Sequence, residues 1–354
     1  MKIEDKPAIY IYEEEFSVGN TRKSIKGIIA RVQLEEFSKG IILPHEFTLS
    51  KAKEDRLNLM KATNCNFSQI YALYMDEKHT TLATIDEQSK AKADLEFTDE
   101  TGVTHRLWIE TDEKIIAKLV ADFADRKLYI ADGHHRYETA LNYRNYCREN
   151  GISKPGDPQD FQMIYLVDME HPGLVVFPTH RLVRDLPNFD KEAVLEKCSE
   201  FFYIDEKEGT DTMEEDLKKL YDEGKKAFGF YCGKGEWFLL TLKNIDFMSQ
   251  MLPNVSKASQ SLDVSVLHTL ILEKIFGIDK ENMAKQINLT YTKFFTEAID
   301  GVDKGEFQCS FVLNPTRVTE IRDVAAAGEK MPQKSTYFYP KMITGMVMNN
   351  LGVD

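Results

Sequence analysis

The stretch that most constrains the fold is "KLYIADGHHRYETALNYRNYCREN", residues 127–150. An apolar run ends in an acid, a glycine, two histidines and an arginine, and apolar residues at helical spacing follow at once, stopped by Gly151. A buried strand that delivers its end directly into a helix satisfies both periodicities. The strand would bring Asp132 to the sheet end, and Gly133 would allow an unusual backbone angle or a close ligand approach. The first helical turn leaves backbone N–H groups and a positive dipole end, which favour an anion. Arg136 can add a forked, charge-assisted contact, and His134 or His135 a further hydrogen bond. These are the parts of a phosphate cradle. A plainer reading has Asp132 capping the helix and both histidines exposed or satisfied by backbone. A third has His134 and His135 ligating zinc, which the divergence of about 100° between adjacent helical residues disfavours.

Elsewhere strands and helices alternate without a regular βα period. "AIYIYEEEF" and "KGIIARVQL" flank Gly19-Asn20 as a hairpin. "KAKEDRLNLMKATN" has helical spacing, and "QIYALYM" and "RLWIETD" read as strands. "EKIIAKLVADFADR" reads as a helix capped by Asp112. "DFQMIYLVDM" and "LVVFPTHRLV" read as two more strands. From 187 to 252 the chain turns richer in acids and lysines, with two helices and a hairpin. A helical section capped by Asp263 follows, then a strand in "QCSFVLNPT", a helix in "VTEIRDVAAAGE" and a polar-aromatic loop. The expectation is an α+β protein: a mixed-sheet core over 1–186, a small α+β subdomain over 187–252, and a section over 253–354 that packs back on the core.

Composition narrows the function. With a formal net charge of −13 and no cluster of five or six basic residues, the chain is a poor candidate for general nucleic-acid binding. A local cationic pocket for a small anion remains compatible with that balance. Five scattered cysteines without a CxxC pair point away from structural zinc and disulfides and toward a reducing compartment. No secretory signal and no apolar window of membrane-spanning length is visible, so a soluble cytoplasmic protein is expected.

Three further polar clusters follow apolar runs. In "ILPHEFTLSKAKEDRL", residues 42–57, Glu46 beside His45 can act as a general base or metal ligand if partly buried, whereas Lys51, Lys53, Glu54, Asp55 and Arg56 fit a solvated helix face. "FPTHRLV" places His180 and Arg181 at a strand end, and "MPQKSTYFYPK" places Lys334 beside two hydroxyls in a proline-bounded loop. Each alone fits a structural role; their similar chemistry raises the expectation of a shared pocket.

"IADGHHRYETAL", "LPHEFT" with "KEDRLNLMKAT", "FPTHRLV", and "MPQKSTYFYPK" with its trailing "TG" resemble, in order, the blocks of a large uncharacterised bacterial and archaeal family once described as ParB-like. The resemblance spans nearly the whole chain. It implies an additional N-terminal segment with a Pro-Pro-Tyr-Asp-like stretch, which this sequence does not display, so any site residue from that segment has no counterpart here. More remotely, Asp-Gly-His-His-Arg resembles the phosphate-binding motif of the ParB/sulfiredoxin superfamily, which includes nucleotide-hydrolysing partition proteins, sulfiredoxins and free serine kinases. That resemblance implies a ParB/sulfiredoxin-like mixed-sheet core and nucleotide phosphates at Asp132, Gly133, His134, His135 and Arg136.

The leading expectation is a phosphotransferase that uses ATP or ADP with Mg²⁺ on a small hydroxylated metabolite, free serine being the best match. Gly133, His134, His135 and Arg136 would hold phosphates, with His180, Arg181 and Lys334 as further phosphate or charge-neutralising groups. Asp132 would meet Mg²⁺ or orient the acceptor, and Glu46, beside His45, would take the hydroxyl proton. The alternatives are a ParB-like nucleotide switch, disfavoured by the acidic balance and the lack of a basic helix-turn-helix, and a metal-dependent hydrolase. Sulfiredoxin chemistry wants a cysteine where His134 stands.

Overall fold

Strand alternation at the N-terminus builds the first hairpin. In the computed structural model Ile9–Val18 pairs antiparallel with Thr21–Gln33, from Tyr10 opposite Ile29 to Val18 opposite Thr21. The described residues are 4–48 and 50–352; the side chains of residues 50–52, that of Lys51 among them, lie outside them. The hairpin forms the fifth and sixth strands of an eight-stranded sheet ordered Ile42–Leu43, Leu128–Asp132, Ile70–Tyr74, Phe161–Asp168, Thr21–Gln33, Ile9–Val18, Thr104–Glu110 and Leu95–Thr98. The sheet is mixed. Ile42–Leu43 runs parallel to Leu128–Asp132, Ile70–Tyr74 runs parallel to Phe161–Asp168, and the other neighbours are antiparallel.

The core beneath it joins Ile11, Ile28, Ile70, Ile130, Ile164 and Leu166 to Tyr137, Ala140 and Leu141 of the helix His134–Glu149. Each such large side chain taken out of water stabilises the fold by about 1.5–3 kcal/mol. Gly27 is fixed by close approach: a Cβ there would lie 2.3 Å from the carbonyl oxygen of Leu166 on the neighbouring strand. The helix Glu113–Phe123 starts as its sequence indicates, with the Asp112 carboxylate accepting from the N–H groups of Lys114 at 2.7 Å and Ile115 at 3.3 Å.

Two compact units share the chain. One runs to Val175 and resumes at Phe338; the other is Val176–Tyr337. The second unit contains a six-stranded antiparallel sheet ordered Phe202–Glu208, Glu236–Leu242, Ala227–Gly233, Cys309–Val312, His180–Val183 and Leu289–Thr292. Its core gathers Phe202, Phe228, Phe230, Leu240 and Phe311 with Leu267, Leu270 and Ile271.

Local departures from the sequence reading have local causes. Phe202–Glu208, an additional strand between the two expected helices, is an edge strand whose four consecutive charged residues are exposed or half-buried on both faces, so its alternation is muted. "LVVFPTHRLV" is two short strands, Val175–Phe177 and His180–Val183, interrupted at Pro178. Asp263 is not a cap: Leu262 occupies that position, and Asp263 lies inside the first turn, buried and ion-paired with Lys226 at 2.9 Å.

Candidate active site

Asp132 is the last residue of the strand Leu128–Asp132, and Gly133, at φ +97°, turns the chain into the helix His134–Glu149. The glycine is required twice over: the backbone is left-handed, and a Cβ would lie 3.0–3.1 Å from the Arg136 guanidinium. The N-cap position is Gly133 itself, so the residue that starts the helix brings no capping side chain. The Asp132 carboxylate instead spans two cations, accepting from Arg136 at 2.8 Å and from Lys341 at 2.9 Å. Arg136 also donates to the Ser68 hydroxyl at 3.2 Å and to the Gln69 carbonyl. Burial alone would raise the Asp132 carboxyl, but Lys341 and Arg136 outweigh it and hold the group below the usual carboxylate range. Burial lowers Arg136, and Asp132 opposes that fall.

A cavity of about 480 Å³ lies against this turn, within the roughly 300–1,000 Å³ common for small-molecule pockets. Asp132, Gly133, His135 and Arg136 line one part of it, with Ser68 and Arg56; Leu59, Met60, Phe67 and Met342 supply apolar wall. Cys65 also lines it.

His134, by contrast, is absent from that lining and is 3% exposed. Its Nε2 accepts from the backbone N–H of His45 at 3.2 Å, and its Nδ1 lies 3.8 Å from Glu46. The His45 and His134 rings meet edge to face at 4.5 Å. Burial pushes the His45 imidazole down to about 4, against a hydrogen bond with the backbone of Ile130, so it is neutral at pH 7. One helical turn on, Glu138 accepts from the Thr48 hydroxyl and from the Lys53 ammonium, both at 2.6 Å. The sequence clusters at 42–57 and 129–141 therefore meet.

The other two clusters meet in the second unit. Arg181 is fully buried and donates to the carbonyls of Thr179 and, at 3.1 Å, Lys334, and to His268 Nε2 at 3.1 Å. Its guanidinium also lies over the Tyr291 ring. Burial pushes it down to about 10. His180, on the opposite face of the strand, accepts from the Leu313 N–H through Nδ1 at 3.4 Å. Burial and the neighbouring Arg181 push it down to about 4. Lys334 meets Arg181 through its backbone carbonyl, and its side chain is exposed.

Sequence reasoning passed over Lys341, Glu138, Ser68 and Gln69. Lys341 ends the same "MPQKSTYFYPK" stretch in which Lys334 stood out, and Glu138 lies four residues after His134, on the same helix face. Ser68 and Gln69 carry no motif. Among the described residues no three His, Cys, Asp or Glu side chains converge as a metal site. The two adjacent histidines point to different surroundings, so they do not supply a zinc donor pair. A magnesium ion carried by nucleotide phosphates needs only one or two protein carboxylates, and among the described residues Asp132 is the carboxylate that lines this cavity.

No curated protein matches the chain. Three solved structures with similar chain traces are a conserved hypothetical protein from Pyrococcus furiosus (15% identity, 91% of this chain and 95% of that one, TM-score 0.42), free serine kinase in complex with AMP (13%, 90% and 91%, 0.43), and a free serine kinase mutant in complex with ADP (12%, 90% and 91%, 0.44). Likenesses this distant say nothing about the chemistry of this chain. The family model described as a protein of unknown function, DUF1015, matches residues 1–265, and the chain belongs to that family.

Proposed function

We propose that this protein is a nucleotide-dependent phosphotransferase acting on a small hydroxylated metabolite, with free serine as the leading acceptor. The observation that carries the reading is the cavity that adjoins the glycine-started helix together with Arg136, Arg56 and His135. Phosphoryl transfer asks a protein mainly for positioning and charge neutralisation, and this wall offers both. The apolar residues Leu59, Met60, Phe67 and Met342 suit the nucleobase and ribose.

On this reading Gly133 lets the phosphates approach the backbone, and His135 and Arg136 hold their oxygens. Asp132, kept ionised by its two cations, fixes the Arg136 guanidinium against the phosphates. Mg²⁺ brought in with the nucleotide would be held by Asp132 and would supply charge neutralisation at the phosphates. The acceptor hydroxyl oxygen forms the new bond to the terminal phosphorus, the bond from that phosphorus to the nucleotide breaks, and Glu46 takes the hydroxyl proton. Glu46 does not itself line the cavity; it stands beside buried His134 with its side chain 35% exposed, so on this reading the acceptor hydroxyl is held outside the wall that takes the phosphates. Serine itself is implied by the resemblance of the Asp-Gly-His-His-Arg motif to that of free serine kinases.

The test is release of ADP, or of AMP when ADP is the donor, by purified protein with Mg²⁺ in the presence and absence of serine, with phosphoserine read by mass spectrometry. Serine-dependent release that Glu46→Gln abolishes supports the reading. Nucleotide binding without phosphoserine removes serine as the acceptor.

A further inference from the structure

The loop bearing His45 and Glu46 is fastened to one face of the helix His134–Glu149 at two successive turns. At the first, the His45 N–H donates to His134 Nε2 at 3.2 Å. At the second, Glu138 accepts from Thr48 and from Lys53, each at 2.6 Å. We propose that His134 and Glu138 are positioning residues that set the Glu46 carboxylate, and that His134 is not a phosphate ligand. The geometry stands by itself; the catalytic consequence rests on the reading of Glu46 as proton acceptor.

The hydrogen-bond chemistry fixes the state of His134. A backbone N–H can only donate, so Nε2 must be the bare nitrogen and the neutral ring must carry its proton on Nδ1. That Nδ1 faces Glu46 Oε2 at 3.8 Å. A ring 3% exposed, with one nitrogen taken by backbone and the other turned to a carboxylate, has no edge left for a nucleotide phosphate. His135, about 100° further round the helix, lines the cavity instead. The two adjacent histidines thus divide: His134 holds the loop that bears Glu46, and His135 lines the cavity. Glu138, four residues after His134, stacks on the same face, and its ion pair with Lys53 is only 19% and 24% exposed. It holds the far end of the loop whose near end His134 holds.

Imidazole nitrogen–proton NMR correlations on the full chain without nucleotide test this directly. The Nδ1–H form is the minor tautomer of free histidine, so its appearance at His134 would be diagnostic. Glu138→Ala should convert that signal to a mixture and speed exchange of the His45 amide at least tenfold. Glu138→Gln, which keeps an acceptor for Thr48, should restore part of both, and Thr48→Val should weaken the same end while amides outside the loop report an intact fold. An Nε2–H tautomer in the wild type, or an unaltered His134 signal in Glu138→Ala, overturns the proposal. In the ADP-release assay Glu138→Gln should lower kcat by up to about a hundredfold with KM for nucleotide unchanged; the opposite split also overturns it. Failure of the wild type to bind any nucleotide sinks the phosphotransferase reading and leaves the tautomer result to judge the geometry.

Discussion

Asp132 and Lys341 are separated by 209 residues and meet at 2.9 Å between carboxylate oxygen and ammonium nitrogen. The contact brings the chain's C-terminal return to the turn that begins the helix His134–Glu149, and with Arg136 it makes a cation–carboxylate–cation row beside the cavity. Removing Lys341 should therefore let the Asp132 carboxyl move back toward its usual range. Lys341→Ala should weaken nucleotide binding by roughly tenfold, the worth of one charge-assisted contact. Lys334→Ala keeps the backbone carbonyl that Arg181 uses, and it should change stability by less than about 0.5 kcal/mol. Nucleotide titration of Lys341→Ala and urea denaturation of Lys334→Ala check the pair.

Gly133→Ala should destabilise the protein by about 1–3 kcal/mol, because a left-handed φ is strained for alanine. The added methyl also presses on the Arg136 guanidinium at 3.0 Å. Urea denaturation would show it as a lower midpoint with an unchanged slope.

How much of this was legible in advance depends on the range of the interaction. The strand–glycine–helix turn at 128–136 is local, so periodicity and one glycine sufficed. The Asp112 cap is equally local. The pairing of His134 with the His45 loop spans 89 residues, and the motif blocks hinted at it only as a shared chemistry. Lys334 and Lys341 lie in one polar-aromatic stretch, and sequence shows that both are polar but not which one points at Asp132. His134 and His135 look interchangeable in sequence; only the helix phase separates the buried ring from the cavity-facing one.

Two buried groups should shape stability against pH from opposite sides. Glu14 is 1% exposed, with the Tyr12 hydroxyl donating to it at 3.1 Å. Burial pushes its carboxyl from 4.5 up to about 8; Tyr12 opposes the rise and Asp99 adds to it. Between those values the folded state keeps a proton that the unfolded state has lost, so stability falls as pH rises from about 4.5 to about 8. Glu14→Gln should flatten that slope. His45, pushed down to about 4 by burial, acts in the other direction: stability is full above 6.5 and is lost as pH falls toward 4. His45→Asn should reduce the acid slope. Denaturation midpoints across pH 4–9 check both.

Cys65 lines the cavity and is partly exposed, whereas Cys147, Cys198 and Cys309 are buried. Alkylation of Cys65 should slow when nucleotide is added, while Cys232, absent from that lining, should react at an unchanged rate. Mass spectrometry of the modified peptides separates the two sites.

The central claim, that the turn after Asp132 grips nucleotide phosphate, is tested most directly by calorimetric titration of the full chain with ATP, ADP and CTP, each with Mg²⁺, beside Arg136→Ala. The account predicts a Kd between about 1 μM and 1 mM for at least one nucleotide, the span common for enzyme substrates, and at least a tenfold loss in the variant. Absence of binding by all three, or equal binding by the variant, would contradict it.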